Sequence, residues 1–485
     1  MNICFLTSEC VPFAKTGGLA DVSGALPVAL EQEGHHVKLF MPLYDSIAVL
    51  DHGFVHSSDI SPLSISMGHN TISVHVWYGH LPGSDVEVYL IDFPHYFHRG
   101  TLYTNDSDEA DRFILLQHAA FHVMQQYSFS PDIIHANDWQ GGLMPAMLKY
   151  AYGWDDLFKS TRTLLTIHNL AYQGLTDPGK AFLASLPMEE AQVGGEFEYN
   201  GALSSLKAGL LMADRVNAVS PTYAAEIQTS AFGEGLDHLL RSRAACVSGI
   251  LNGIDTTIWD PATDRHLPHP FHVDDVSGKR KNRDALCAEL NLSPSDSAPL
   301  IGIVSRLASQ KGFNLLMPIM DDILKQTDAC FAVLGSGQPD IEAFFRETSA
   351  RHPGRIGLKI GFNEGLAHRI EAGSDLFLMP SLYEPCGLNQ MYSLRYGTVP
   401  VVHLTGGLAD TVIDADENPA LGNGFSFGDA HPNALSDAIR RAIQWHKSRH
   451  DWKRIQENGM RTDFSWKSSA KRYIELYESA LSGPC

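Results

Sequence analysis

The sequence predicts an α/β protein built from parallel β-sheets covered by helices on both faces, and three observations lead to this prediction. Short apolar runs rich in β-branched residues alternate with helical stretches from one end of the chain to the other. These runs are continuously apolar, which is typical of strands buried on both faces. The chain has 485 residues, more than one ordinary hydrophobic core accommodates, so we expect two or three domains.

The predicted strands form one group in each half of the chain. They cover residues 37–41, 86–92, 133–135, 163–168 and 216–220 in the first half, and 300–305, 330–335, 356–360, 375–380 and 399–404 in the second. Several end in polar, Gly-rich turns, and open parallel sheets bind their ligands at those carboxyl ends. The periodicity breaks at residues 248–252, where we place the main domain boundary.

Composition and charge exclude several classes of protein. Apolar residues make up 44% of the chain, which is a globular value, and the formal net charge of −20 would repel nucleic acid. No apolar run approaches the roughly 20 residues that span a bilayer, and residues 1–6 are typical of a first strand and not of a signal peptide. Seven scattered cysteines without C-x-x-C spacing argue against a disulfide framework and favour a reduced cytosol.

One hexapeptide occurs twice. T-G-G-L-A-D stands at residues 16–21 and again at residues 405–410, and chance is an improbable explanation. We interpret the two copies as Gly-rich turns at helix starts, whose free N–H groups face one anionic ligand. The alternative is that the glycines serve backbone geometry alone.

Three cations stand where an anion site would need them. Lys15 precedes the first Gly-rich turn, and Arg306 and Lys311 follow a predicted strand, where together they could bind a diphosphate. The run K-T-G-G is neither a dinucleotide fingerprint nor a P-loop. Solvated surface cations are the alternative for the pair.

Polar groups after other predicted strands are typical of a sugar site. Asp138 lies in H-A-N-D-W and His168 in T-I-H-N-L-A-Y-Q-G, where amides, acids and rings are combined. Glu384, in Y-E-P-C-G-L, is expected at the N-terminus of the next helix, where a capping role is the alternative. We reject Cys386 as a nucleophile because no basic residue is near it in sequence. No HExxH or Cys/His spacing predicts a metal site.

Taken together, these runs resemble the bacterial glycogen synthase and plant starch synthase family. The order K-T-G-G-L-A-D-V, H-A-N-D-W, T-I-H-N-L-A-Y-Q-G, S-P-T-Y, L-N-G-I-D, S-R-L-A-S-Q-K-G, E-P-C-G-L and T-G-G-L-A-D-T-V extends from residue 15 to residue 412, and D-F-S-W follows at 463–466. The resemblance implies two Rossmann-like domains facing each other across a cleft, the GT-B type. Residues 1–248 would form the acceptor side and 249–462 the nucleotide-sugar side, with a final helix in 463–485 packing back on the first domain.

The resemblance also implies an activity, the transfer of glucose from ADP-glucose to the non-reducing end of an α-1,4-glucan with retention of configuration. No cofactor, metal, nucleic acid or membrane is expected, and the location would be the cytoplasm, or the plastid stroma in a plant. Catalytic roles would fall to Glu384, His168, Asp138, Arg306 and Lys311. Substrate would be bound by Lys15, Gly17, Gly18, Asn252, Phe362, Cys386, Gly387, Leu388, Thr405, Gly406 and Gly407, with Phe362 stacking on adenine.

Some alternatives stay open on the sequence. UDP-glucose is the main alternative donor, and a non-catalytic glucan-binding scaffold or a pyridoxal-phosphate phosphorylase is the alternative class. Glu384 serves either the reacting carbon or the ribose. Position 392 is Tyr where related retaining transferases often have Glu, and position 389 is Asn where Thr is expected.

Overall fold

The computed structural model describes residues 1–483 and 485. The chain divides into two compact units, residues 1–253 together with 466–485, and residues 254–465. The divisions therefore fall after Gly253 and after Ser465. The sequence analysis placed them a few residues earlier, after residues 248 and 462.

The first unit contains a sheet of ten described strands. Its strands and those of a small second sheet are β1 (Asn2–Leu6), β2 (His36–Pro42), β3 (Val55–His56), β4 (Leu63–Met67), β5 (Asn70–His80), β6 (Glu87–Asp92), β7 (Ile133–Asn137), β8 (Arg162–Ile167), β9 (Leu175–Thr176), β10 (Glu198–Tyr199), β11 (Ala202–Ser204), β12 (Arg215–Ala218) and β13 (Val247–Gly249). The order in the large sheet is β13-β12-β8-β7-β1-β2-β6-β5-β3, with β4 beside β5. Pairing is parallel from β13 to β6 and antiparallel beyond β6.

The helices of the first unit lie mainly between these strands. They are α1 (Gly18–Gln32), α2 (Pro94–Phe97), α3 (Glu109–Gln126), α4 (Asp138–Gly141), α5 (Met144–Tyr150), α6 (Lys180–Leu183), α7 (Met188–Ala191), α8 (Ser205–Met212), α9 (Pro221–Glu226) and α10 (Asp237–Ser242), with short 3₁₀ turns at Asp156–Phe158 and Ala244–Cys246. The sequence analysis missed the antiparallel strands β3 to β5. Strands β4 and β5 alternate between buried and exposed residues, and β3 consists of two exposed residues, so none has the continuous apolar run that was searched for.

The second unit contains a fully parallel sheet with the order β16-β15-β14-β17-β18-β19. Its strands are β14 (Leu300–Val304), β15 (Cys330–Gly335), β16 (Ile356–Ile360), β17 (Leu376–Met379), β18 (Val399–His403) and β19 (Phe425–Phe427). Its helices are α11 (Ser277–Glu289), α12 (Phe313–Leu316), α13 (Met320–Gln326), α14 (Pro339–Arg351), α15 (Glu364–Gly373), α16 (Asn389–Arg395), α17 (Gly406–Thr411), α18 (Pro432–His446) and α19 (Arg449–Arg461), with 3₁₀ turns at Ser309–Lys311 and Met317–Ile319.

The core of the second unit explains why its strands are apolar throughout. Successive residues of β15 enter two different clusters, Phe331 and Val333 in one, and Ala332 and Leu334 in the other. Side chains of a strand alternate between its faces, so both faces of the sheet are buried. The α/β prediction is confirmed, and each of the ten predicted strands corresponds to a strand of the structure.

The last helix, α20 (Trp466–Leu481), packs within the first unit against α1 and β8. Its ring hydroxyls bond to the sheet: His135 Nδ1 lies 2.8 Å from Tyr477 Oη, and Asn217 donates to Tyr473 at 3.1 Å. His135, which opens the H-A-N-D-W run, is thus a buried structural residue.

The cysteines differ from the expectation in one respect. Cys246 and Cys485 form a disulfide with a Cα–Cα distance of 5.4 Å, whereas the sequence analysis expected reduced thiols. Their sequence separation of 239 positions leaves no local spacing signal. The other five described cysteines form no disulfide and are buried. Among the described residues, no helix combines the length and the apolar character needed to cross a bilayer.

Candidate functional site

The large sheet of each unit has a point where the strand order changes direction, and this point predicts where the unit binds ligands. The strand order changes direction between β1 and β7 in the first unit, and between β14 and β17 in the second. The loops that leave such a pair diverge to opposite faces and open a crevice at the carboxyl ends of the strands. Every predicted site residue follows the carboxyl end of a strand, and the predicted cations follow β1 and β14.

At the crevice of the second unit, the predicted acid and one predicted cation are in contact. Lys311 Nζ lies 2.5 Å from Glu384 Oε2, and Ser381 Oγ donates to the same oxygen at 2.9 Å. Only 10% of the Glu384 side chain and 19% of the Lys311 side chain are exposed. The two residues are 73 positions apart in sequence, and they meet because β14 and β17, whose loops carry them, are neighbours in the sheet.

Backbone contacts hold the loops after β14 and β17 together. Leu382 N donates to Gln310 O at 2.9 Å, and the Gln310 side-chain amide donates to Tyr383 O at 3.1 Å. Gly312 adopts φ 73°, and a Cβ there would lie 1.8 Å from Pro380 O. Only glycine permits this close approach, which fixes Lys311 beside Glu384.

Arg306 is the more exposed of the two cations in the loop after β14. Its side chain is exposed, and Nη2 lies 3.5 Å from Gln310 Oε1, the distance limit of a hydrogen bond. An exposed guanidinium at a crevice retains donors for a planar anion such as a phosphate.

The second Gly-rich turn packs directly on the segment that carries Glu384. Gly407 N donates to Glu384 O and to Pro385 O, both at 3.2 Å. A Cβ on Gly406 would lie 1.9 Å from Glu384 O, and one on Gly407 would lie 2.0 Å from Cys386 O. Thr405 is buried beside them. The glycines of this copy are therefore required for close packing. The sequence analysis expected free N–H groups in this turn, but the N–H of Gly407 is bound by the protein.

The structure corrects the expected position of Glu384 relative to the following helix. Helix α16 begins at Asn389, so Glu384 lies five residues before its first turn and does not cap it. Pro385 restricts Glu384 to an extended backbone, and Gly387 at φ 70° turns the chain before the helix. Cys386 is buried and Leu388 is the N-cap residue. Asn389 donates to Val304 O at 2.7 Å, which ties α16 to the end of β14.

Phe362 stands apart from these contacts. It follows β16, and 90% of the residue is exposed. Two strand spacings separate β16 from β14, which is about 10 Å. This is a plausible span between a diphosphate and the base of a nucleotide, so the ring is available for stacking.

In the first unit, the Gly-rich turn after β1 is occupied by an acid that the sequence analysis missed. The carboxylate of Glu9 accepts hydrogen bonds from Thr16 N at 2.5 Å, Gly17 N at 3.1 Å and Tyr103 Oη at 3.1 Å. Glu9 is buried. The N–H groups of Thr16 and Gly17 are therefore bound by protein, contrary to the expectation of free donors, and Gly18 begins helix α1.

Lys15 belongs to the same turn and is held by it. Its Nζ lies 2.7 Å from Asp21 Oδ1, and half of its side chain is exposed. An exposed ion pair of this kind contributes about 0–1 kcal/mol, so a phosphate can replace Asp21 as its partner at small cost.

Asp138, at the end of β7, has an unusual backbone and an unusual acidity. Its φ is 51°, a left-handed conformation that is uncommon for non-glycine residues. Oδ1 accepts from His168 N at 2.6 Å and from Asn169 N at 3.3 Å. Burial outweighs these bonds and, with a smaller contribution from Glu9, raises the pKa of Asp138 to about 7.

His168 follows β8 beside Asp138 and is neutral, because burial lowers its pKa to about 3. Its Nε2 lies 2.9 Å from Asn137 Oδ1, and the amide of Asn137 donates to Leu6 O at 3.0 Å. The amide orientation makes Nε2 the protonated nitrogen, so Nδ1 carries a lone pair. A neutral imidazole with one fixed tautomer is suited to binding a sugar hydroxyl.

Asn252 follows β13 in the first unit. It is buried, and its Oδ1 has no hydrogen-bond partner within residues 1–483 and 485. This oxygen is available to accept a hydrogen bond from a ligand.

Among the residues that the structure describes, one group of potential metal ligands comes together, and it lies outside the predicted site. It consists of His266, Glu364 and His368, all in the second unit. The sequence analysis expected no metal because it searched for local spacings, and His266 is 98 positions or more from the other two. Glu9 could have been found, since it is the acidic residue that follows the first strand.

Comparisons with known proteins agree along the whole chain. Residues 2–242 match the family described as starch synthase catalytic domain, and residues 291–458 match glycosyl transferases group 1. The chain is 44% identical over 486 residues to a glycogen synthase of Syntrophotalea carbinolica, covering 99% of each protein. It is also 44% identical over 488 residues to a glycogen synthase of Anaeromyxobacter sp., covering all of both.

Solved structures show the same relationship. The catalytic domain of starch synthase IV from Arabidopsis thaliana, bound to ADP and acarbose, is 33% identical with a TM-score of 0.91, and 99% of each chain is covered. Sucrose-phosphate synthase from Thermosynechococcus elongatus is 19% identical with a TM-score of 0.60, a likeness of fold alone.

Proposed function

This chain belongs to the glycogen synthase and starch synthase family of glycosyltransferases, and on that premise we propose that it transfers glucose from ADP-glucose to the non-reducing end of an α-1,4-glucan with retention of configuration. Its architecture is the GT-B type, with two Rossmann-like units. The observation that carries the proposal is the group Arg306, Lys311 and Glu384 at the crevice of the second unit.

The diphosphate of the donor is assigned to the cations of the second unit. Lys311 uses one ammonium proton for Glu384 and keeps two donors for phosphate oxygens. Arg306 adds a planar donor group from the exposed side of the same loop. Negative charge on the leaving ADP increases as the bond to the anomeric carbon breaks, so preorganised cations stabilise the transition state more than the ground state.

Features of the same unit support the proposed base and donor. Phe362 offers an exposed ring for adenine, and the ADP bound to the Arabidopsis relative supports an adenine nucleotide. Acarbose in that relative supports a glucan as the acceptor. The role of Glu384 is to balance positive charge near the reacting carbon, which the buried position beside Lys311 favours over a solvent-facing role.

The glucose is assigned to the first unit. His168 accepts a hydrogen bond from a sugar hydroxyl at Nδ1, because its Nε2–H donates to Asn137. Asp138, whose pKa of about 7 leaves it partly protonated at neutral pH, donates to or accepts from a second hydroxyl. The Lys15 ammonium group replaces its ion-pair partner Asp21 with a phosphate oxygen of the donor.

Retention is proposed to occur by attack of the acceptor hydroxyl on the face that ADP leaves. Tyr392 takes the position where related transferases often carry a second Glu, and it is buried and stacked on Trp259 at 3.7 Å. It supplies no carboxylate for a covalent glucosyl intermediate, which favours departure and attack on one face with an oxocarbenium-like transition state.

The decisive experiment compares donors. Purified protein is given a glycogen primer with labelled ADP-glucose or UDP-glucose, and the anomeric configuration and linkage of the product are read by NMR. We expect release of ADP and new α-1,4 links, with ADP-glucose strongly preferred. Turnover of UDP-glucose above ADP-glucose would contradict the donor assignment, and β-linked product would contradict retention. Loss of transfer in Glu384→Gln serves as the control for a contaminating activity.

A further inference from the structure

A second cluster of reactive side chains lies in the second unit, outside the residues assigned to glucose transfer. It consists of His266, Glu364 and His368, called here the two-histidine cluster. Each residue offers one ligand atom, and these atoms lie within 4.8 Å of one another. Glu364 and His368 are four residues apart on α15 and share one face of that helix. His266 arrives from the segment that precedes α11.

One carboxylate positions both histidines. Asp264 Oδ1 accepts from the backbone N of His266 at 2.8 Å, and Oδ2 accepts from His368 Nδ1 at 2.7 Å. Tyr396 Oη donates to the same Oδ2 at 2.6 Å, which holds the carboxylate in place. A histidine that donates one ring N–H to a carboxylate and presents the other nitrogen is the usual arrangement of a metal ligand.

The other ring nitrogen of His368, which does not bond to Asp264, is buried and has no partner among the described residues. Only 1% of the His368 side chain is exposed, and its Nε2 forms no hydrogen bond within the described part of the chain. Trp259 stacks on the ring at 3.8 Å with an interplanar angle of 7°, so the ring cannot rotate to find one. A buried polar atom left unpaired is costly, which points to an occupant that the protein chain does not supply.

We propose that His266, Glu364 and His368 bind one divalent transition-metal ion, with zinc the best match, and that Asp264 is the positioning residue of this site. Two imidazole nitrogens and one carboxylate oxygen favour zinc, nickel or cobalt, whereas magnesium and calcium prefer oxygen ligands alone. Three protein ligands leave a further position for water. The ion would join the Asp264–His266 turn to α15, independently of the transfer reaction.

Two neighbouring features bear on whether an ion fits. Bonds of about 2.0–2.2 Å to one ion require ligand atoms that are close together, and the exposed side chain of Glu364 can adjust its position to the ion. Arg369 Nη1 lies over Gly365 near His266, and this guanidinium is already neutralised by Glu289, with both hydrogen bonds at 2.7 Å. Gly365 keeps the space open, because a Cβ there would lie 3.1 Å from His266 Nδ1.

The test measures zinc binding to the full-length protein. Chelator-treated protein competes with a chromogenic chelator for Zn²⁺, and we expect one tight site per chain. His266→Ala and Glu364→Gln should each weaken that site by about 10–100-fold or more, and Asp264→Asn by a similar factor. Zn²⁺ should raise the melting temperature of the wild type and not that of Glu364→Gln.

The controls separate this site from the other histidines of the chain. His450→Ala removes a histidine whose side chain is 91% exposed, and His75→Ala removes one of an exposed pair whose ring nitrogens are 3.1 Å apart. Neither should change the tight site. If His266→Ala fails to fold, judged by circular dichroism, Glu364→Gln decides the question because Glu364 is exposed.

A zinc-soaked crystal gives an independent measurement. An anomalous peak about 2.0–2.2 Å from the three ligand atoms is the expected result. Equal zinc affinity in wild type, His266→Ala and Glu364→Gln would overturn the proposal. So would loss of the tight site in His75→Ala, or tighter binding of Mg²⁺ than of Zn²⁺.

Discussion

Lys311 Nζ and Glu384 Oε2 form an ion pair of 2.5 Å at the point where the parallel sheet of the second unit changes direction. The cation proposed to bind the diphosphate and the acid proposed to balance charge at the reacting carbon are therefore coupled. Removing either one leaves the other partly buried without its partner, and such a loss is more costly than the loss of a surface charge.

The first prediction concerns the two cations. Arg306→Ala and Lys311→Ala should each lower kcat by about 10²-fold or more, the scale for losing a preorganised electrostatic partner of a developing charge. Steady-state kinetics with ADP-glucose and glycogen measure the effect. Arg346→Ala is the matched control, because Arg346 is an exposed arginine of the same unit that pairs with Glu342. A change of less than threefold in both variants would remove the diphosphate assignment.

The second prediction separates the two roles open to Glu384. Glu384→Gln keeps the shape and removes the charge, so kcat should fall by about 10²-fold while the dissociation constant of ADP changes little. Calorimetric titration with ADP and single-turnover kinetics measure the two quantities. Weaker ADP binding with a nearly unchanged kcat would assign Glu384 to the ribose instead.

The third prediction concerns the exposed ring. Base stacking on an aromatic side chain contributes about 1–3 kcal/mol, so Phe362→Ala should weaken ADP binding by about 10-fold or more. Phe362→Tyr retains the stacking face and should bind ADP as the wild type does. The stability of the variants should be unchanged, since Phe362 is 90% exposed. Equal ADP affinity in Phe362→Ala and wild type would place the base elsewhere.

The fourth prediction concerns pH and Asp138. Burial raises its pKa from 3.8 to about 7, so the folded protein retains a proton that the unfolded chain releases between these values. The contribution of Asp138 to stability is therefore complete below about pH 4 and is lost as the pH rises to about 7. Asp138→Asn does not titrate, and its free energy of unfolding relative to wild type should rise by a few kcal/mol over that range.

Denaturant unfolding near pH 4 and near pH 7.5 measures this difference. His168 provides the opposite case, because burial lowers its pKa from 6.5 to about 3 and its contribution is lost as the pH falls through that window. Comparing Asp138→Asn with the wild type isolates the contribution of the Asp138 carboxyl group. A pH-independent difference between Asp138→Asn and wild type would mean that Asp138 is ionised normally in the folded protein.

Much of the architecture could be predicted from local sequence. Continuous apolar runs identified all ten predicted strands, because burial on both faces of a parallel sheet leaves no alternation in hydrophobicity. The motifs also placed their polar residues at the carboxyl ends of strands, as in Lys311 after β14 and Glu384 after β17. Strands β3 to β5 were not predicted, because β4 and β5 alternate between buried and exposed residues and β3 is two exposed residues long.

The sequence by itself determined the element types, the family resemblance and which residues carry chemistry, because periodicity and motif spacing are local properties. Only the tertiary structure decided which residues distant in sequence contact each other. Strand order joins Lys311 to Glu384 across 73 positions, the turn after β1 closes on Glu9, and Asp264 gathers His266 and His368. The Cys246–Cys485 bridge spans 239 positions. Such contacts depend on how distant segments pack, and local sequence patterns do not specify that packing.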